Sequence, residues 1–150
     1  MRNDIALLVL RLAGLGLALA HGWGKVSAFA AGQGGRFIEG VANLGFPAPA
    51  VFALAAALAE FVGGLCVALG VATRVAAGFA AATMFVAAFV RHKTHGHLLS
   101  WLGVAPASED TLKAWGNPEL ALVYLAVFVA ITLLGPGRLA LDSLVRRKPR

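Results

Sequence analysis

The stretch Ala50–Leu69, AVFALAAALAEFVGGLCVAL, decides the fold class. It is 20 residues long with a single charged residue, Glu60, and a membrane-spanning helix needs about 20 consecutive, mostly apolar residues. Three more apolar stretches accompany it, from about Ile5 to Trp23, Val75 to Val90 and Leu120 to Leu134. The last two are short and cross a bilayer only if each extends slightly past its polar ends. With that extension the expected spans cover about 5–25, 49–70, 74–91 and 118–135, followed by a basic tail over 138–150. The predicted fold is all-α, a transmembrane four-helix bundle forming one domain over 1–150.

Composition supports the same class. Of 150 residues, 59% are hydrophobic and 13% charged, with a mean hydropathy of +0.80, whereas soluble domains carry about 25% charged residues. One cysteine, Cys66, excludes an intramolecular disulfide, a CxxC redox pair and a thiolate metal cage. The net charge of +6 does not indicate nucleic acid, because five of the 13 basic residues lie between Arg138 and Arg150.

Local signals place the helix ends. Only Val71–Arg74 separates the second and third stretches, which makes them antiparallel neighbours. Pro49 suits a first helical turn, and Asn117-Pro118-Glu119 reads as a cap, a proline and an acid at the positive helix end. Gly135-Pro136-Gly137 ends the fourth helix. Basic start, apolar run and Ala18-Leu19-Ala20 together imitate a signal peptide. Arg11 interrupts that run, and the segment is read as a retained span.

With both termini in the cytoplasm, Arg2, Arg74, Arg138, Arg146, Arg147, Lys148 and Arg150 lie inside. Lys25, Arg36, Arg91, Lys93 and Lys113 lie outside, and the positive-inside rule favours that orientation. It also sets Trp23, Trp101 and Trp115 at one interface, as an aromatic belt would. In the first outer connection Phe37, Val41 and Leu44 recur at helical spacing beside Arg36 and Glu39, and in the second Leu98, Leu99, Trp101 and Leu102 precede Pro106. Both read as interfacial segments, with Ser108 capping a short turn towards Trp115.

Candidate chemistry sits where polarity is expensive. A bare carboxylate at the depth of Glu60 costs about 2.5–3.5 kcal/mol on insertion scales. Its helical neighbours are Ala56, Ala57, Gly63 and Gly64, a strip narrow enough for close approach of a helix or a ligand. Glu60 is therefore either half of a structural ion pair or a proton-exchanging, ligand-binding carboxylate. Arg11 is the expected partner by depth, unless it snorkels to the inner headgroups. His21 and Lys25 are four apart, and with Arg11 they fall on one stripe of the first helix. Arg11, His21, Lys25 and Glu60 form the expected intrabundle polar pocket, with Glu119 and His92 as an outer polar layer and Glu119 able to answer Lys25. His92, His95 and His97 have spacings that suit imidazole ligation, but flanking Arg91 and Lys93 repel a cation, and the expectation is no metal.

Several motifs follow one another along the chain: Arg11, His21-Gly22-Trp23-Gly24-Lys25, Gly45-Phe46-Pro47-Ala48-Pro49, Glu60 with Gly63-Gly64, Leu69-Gly70-Val71-Ala72-Thr73-Arg74, and the closing Gly135–Asp142 segment. In this order and spacing they resemble the DoxX family of small four-helix membrane proteins of bacteria and archaea. The resemblance spans about Leu8 to Leu144. It implies a multi-pass protein of the cytoplasmic (inner) membrane, associated with quinol oxidation, with thiosulfate:quinone oxidoreduction or with soluble thiol- and superoxide-handling enzymes. The leading expectation is a non-catalytic or quinone-proximal subunit, with no intrinsic cofactor, beside a membrane or periplasmic oxidoreductase partner. A small proton-coupled transporter or permeation protein, as a homodimer, and a passive membrane anchor or assembly factor are the rival expectations.

Overall fold

The computed structural model describes residues 1–146, with side chains to residue 143; positions 147–150 of the expected basic tail lie outside the described residues. Among the described residues there are eight helices and no strand. In chain order they are α1 (Arg2–Ala30), α2 (Gly35–Asn43), α3 (Pro49–Leu69), α4 (Thr73–Arg91), α5 (Thr94–Trp101), α6 (Glu109–Trp115), α7 (Glu119–Leu134) and α8 (Leu141–Arg146). Helices α1, α3 and α4 are each long and apolar enough to cross a membrane. The fourth crossing is less direct. Helix α7 has 16 residues and α6 meets it at 42°, so α7 alone covers about 24 Å of a ~30 Å hydrocarbon layer.

The sequence signals act where expected. Pro49 opens α3, Ser108 Oγ accepts the Thr111 amide at 3.2 Å to cap α6, and Asn117 Oδ1 accepts the Glu119 amide at 2.8 Å. The two amphipathic connections form α2 and α5. Leu98 and Trp101 of α5 and Leu102 just beyond it are exposed.

Helices α1, α3, α4 and α7 pack round one core of Leu17, Val67, Ala77, Ala80, Phe128 and Ile131. Small residues set the α1–α3 spacing. A methyl group added at Gly64 would stand 2.5 Å from the Gly14 carbonyl oxygen, and one added at Gly22 would stand 2.5 Å from the Phe61 amide. Interfaces between membrane helices favour such residues because backbones can then approach closely. Gly64→Val is accordingly expected to destabilise the protein by about 2–3 kcal/mol, an overpacking cost, measured as a lowered unfolding midpoint in detergent.

The two ends of the bundle differ. At the basal end, which holds residue 1, the α3–α4 turn and α8, the chain is tightly cross-linked by polar contacts. Asp142 accepts from the amides of Ala72 and Thr73 at 2.9 and 3.0 Å and from Thr73 Oγ1 at 2.9 Å, capping α4 from a distant part of the chain. Its own amide donates to the Gly70 carbonyl at 2.8 Å. Gly70 turns with φ +76°, and a methyl group there would strike Ala140 Cβ at 2.5 Å. At the distal end, which carries α2, α5 and α6, the helices are less closely packed. The Ala59–Gly63 turn of α3 still packs on α4, whereas Pro49–Leu58 packs instead on α2 and on the Trp23–Ala30 part of α1. The α3–α4 hairpin therefore opens towards its distal end.

Candidate functional site

Three of the long helices contain one wide π-helical turn each: Ala18–Gly22 in α1, Ala59–Gly63 in α3 and Val86–Arg91 in α4. His21, Glu60 and Arg91 sit in these turns. Such turns recur at functional sites because the extra residue shifts the side chains that follow it. All three line one cavity of about 660 Å³ in the distal half of the bundle. Its walls are mostly apolar, with Leu17, Phe52 and Met84 among them, and α2 roofs it through Phe37, Val41 and Leu44.

The polar centre of this cavity is an ion pair. Lys25 Nζ lies 2.6 Å from both carboxylate oxygens of Glu60. The Glu60 side chain is 5% exposed and that of Lys25 29%, so the carboxylate is buried and its partner reaches the open space. Lys25 Nζ also sits 4.7 Å from the centre of the Phe37 ring, a cation–π contact that ties the pair to the roof. His21 faces Tyr124 edge-on at 6.1 Å, and Tyr124 stacks on Phe128 at 5.8 Å. On the α4 side, His92 Nδ1 is 2.8 Å from the Trp115 carbonyl oxygen. A carbonyl only accepts, so Nδ1 is the protonated donor of this bond.

Arg11 does not belong to this site. The expected pairing with Glu60 is absent, and the expected single stripe of Arg11, His21 and Lys25 is broken. Arg11 is 2% exposed and donates to four backbone carbonyls: Val67 at 2.9 Å, Ala68 at 2.8 Å, Pro136 at 3.1 Å and Leu139 at 2.9 Å. Two causes explain the difference. Gly14 lies opposite Gly64 and Gly22 opposite Phe61, so α1 projects past the basal end and Arg11 is level with the end of α3. The π turn at Ala18–Gly22 then rotates Lys25 off the face that Arg11 occupies.

The outer layer also divides. His92 lines the cavity, but Glu119 is bonded within its own helix start, with Asn117, and Lys25 is answered by Glu60 instead. His92, His95 and His97 do not converge: His95 is exposed, and His97 packs edge-on against Trp115 at 5.5 Å. Among the described residues, no group of three or more His, Cys, Asp or Glu side chains is placed to hold a metal ion. Sequence reasoning missed Tyr124 and the capping role of Asp142. Tyr124 carried a signal, being the one tyrosine of the chain and the most polar side chain between Leu120 and Ile131.

Three apolar helices long enough to span, joined by a polar centre buried at membrane depth, define a multi-pass membrane protein. The DoxX family model matches residues 6–93, and the chain belongs to that family. The match includes Arg11, His21, Lys25 and Glu60 and ends before α5. The chain is also similar to the inner membrane protein YqjF of Escherichia coli (strain K12), with 30% identity over 146 residues, 97% of this chain and 96% of that protein. No solved structure matches it. It is a multi-pass protein of the inner membrane.

Proposed function

We propose that this DoxX-family protein is the quinone-proximal membrane subunit of a redox complex, and that its distal cavity is the site of the quinone head group. The observation that carries this reading is an apolar, aromatic-rich cavity of about 660 Å³ whose floor is the Lys25–Glu60 pair. Its volume falls among small-molecule sites, which combine apolar walls with a few convergent polar groups. A quinone ring is flat and apolar, with carbonyl oxygens that accept hydrogen bonds. Lys25 is the donor nearest to the open space, Glu60 is a carboxylate able to exchange a proton, and Phe37, Phe52 and Tyr124 offer ring contacts. The chain brings one cysteine and no evident ligand set for an electron carrier, so electrons pass through a membrane or periplasmic oxidoreductase partner. Both termini are cytoplasmic in this proposal, with α2, α5 and the cavity towards the outer face.

Two features support a ligand pocket over a transport pathway. The polar groups lie in two layers, the Arg11 clamp at the basal end and the Lys25–Glu60 pair in the distal half. Fully buried Phe128 and Ile131 belong to a packed core that does not line the cavity. The test is direct. Protein extracted in mild detergent is expected to retain stoichiometric quinone, and Lys25→Met to weaken quinone binding by about tenfold, the scale of one charge-assisted hydrogen bond. Protein that binds no quinone, and whose removal changes no quinone-dependent rate in membranes, would sink the proposal.

A further inference from the structure

The α3–α4 hairpin opens sideways at membrane depth, and this opening has its own chemistry. Four residues that line the cavity are also exposed: Phe52 and Ala55 of α3, Phe79 and Ala82 of α4. Phe79 is 63% and Phe52 44% exposed, which places them where the cavity is open. The gap between the helices is a slot with alanine walls and a phenylalanine on each helix. It runs from the lipid-facing surface towards the Lys25–Glu60 pair.

The other sides of the cavity are closed or polar. Between α1 and α7, the Tyr124 ring meets His21, and its hydroxyl lies so near Gly16 that an added methyl group would be 2.9 Å away. Helix α2 covers the distal side through Phe37 and Val41. The corner between α4 and α7 holds Arg91, His92 and Asn117, groups that a hydrocarbon chain avoids. Below, the bundle is packed.

We infer that the α3–α4 slot is a binding site for a single flexible hydrocarbon chain, the tail of a membrane-dissolved ligand whose head lies at Lys25–Glu60. The ligand enters from the bilayer and keeps its chain in the slot, with the tail leading back into lipid. Alanine walls leave room for the chain's cross-section, and the neighbouring hydroxyl, Thr83 Oγ1, already donates to the Ala80 carbonyl at 2.8 Å. This inference rests on the cavity being a head-group site, and the experiment separates the two claims.

The test uses two probes with one dimethoxy-methylbenzoquinone ring, one without a side chain and one with a decyl chain. Both are titrated into the full-length protein in lipid nanodiscs. Ala55→Trp and Ala82→Trp place a bulky side chain in the slot at exposed positions that the core does not use. Each is expected to lower the affinity ratio, decyl over chainless, by about tenfold. Leu133→Trp, on the outward face of α7, is expected to leave the ratio unchanged. A diazirine at the chain terminus is expected to label α3 and α4. An unchanged ratio in both slot variants, or labelling confined to α1 and α7, overturns the slot and leaves the head-group site standing. Wild-type protein that binds neither probe overturns both.

Discussion

Replacing Arg11 with methionine is expected to destabilise the protein by about 3–5 kcal/mol, the cost of breaking a buried charged network from one side. The guanidinium is almost wholly buried and reaches four carbonyls from two separate segments. Those of Val67 and Ala68 lie in the last turn of α3, where Val67 also accepts the Gly70 amide at 3.2 Å and carbonyls generally run short of helical donors. Those of Pro136 and Leu139 belong to the segment after α7, whose proline and glycines preclude a continuing helix. Methionine fills much of the volume but donates nothing, so the carbonyls of Ala68, Pro136 and Leu139 lose this donor. A positive charge near a helix C-terminus adds a favourable dipole term that methionine also forfeits. Arg11→Lys is expected to recover only part of the loss, because an ammonium cannot span the two segments as a planar fork does. Unfolding midpoints in detergent check both variants. Quinone affinity per folded molecule is expected to stay at the wild-type level in Arg11→Lys, because the clamp and the cavity are separate.

What was legible in the sequence depended on whether the cause was local. Helix starts at Pro49 and Ser108 follow from the residues beside them, and α2 was visible as helical spacing of Phe37, Val41 and Leu44. The importance of Arg11 and Glu60 was visible too, since charge at membrane depth always needs an explanation. Their partners were not. Pairing depends on the vertical offset of α1 against α3, which the Gly14–Gly64 and Gly22–Phe61 contacts set. It also depends on the phase of α1 after its π turn, and no residue in Ala18–Gly22 announces one. The strip Ala56, Ala57, Gly63 and Gly64 was read as room for a helix or a ligand; Gly64 serves helix packing, and Ala56 lines the cavity. The Gly135–Asp142 motif likewise made sense only in three dimensions, where Asp142 caps a helix that begins at Thr73.

The Lys25–Glu60 pair distinguishes a ligand site from a passive anchor, through the contrast between single and double variants. Lys25→Met leaves the Glu60 carboxylate buried without its cation and is expected to cost about 3–5 kcal/mol. Glu60→Gln is expected to cost less, because Lys25 is partly exposed and its long side chain can turn towards water. In the double variant Lys25→Met/Glu60→Gln no charge remains to be buried, so stability is expected to recover to within about 1–2 kcal/mol of wild type. If the pair only fixes helix register, quinone retention and partner copurification recover with stability. If Lys25 and Glu60 address a ligand, the double variant folds yet stays deficient in quinone binding, because methionine cannot donate to a ring oxygen. That outcome, a stable protein with an inert cavity, is the one expected here. Unfolding in detergent together with quinone titration of the same samples supplies both readouts. Recovery of binding along with stability would return the pair to a structural role and remove the strongest support for the proposed site.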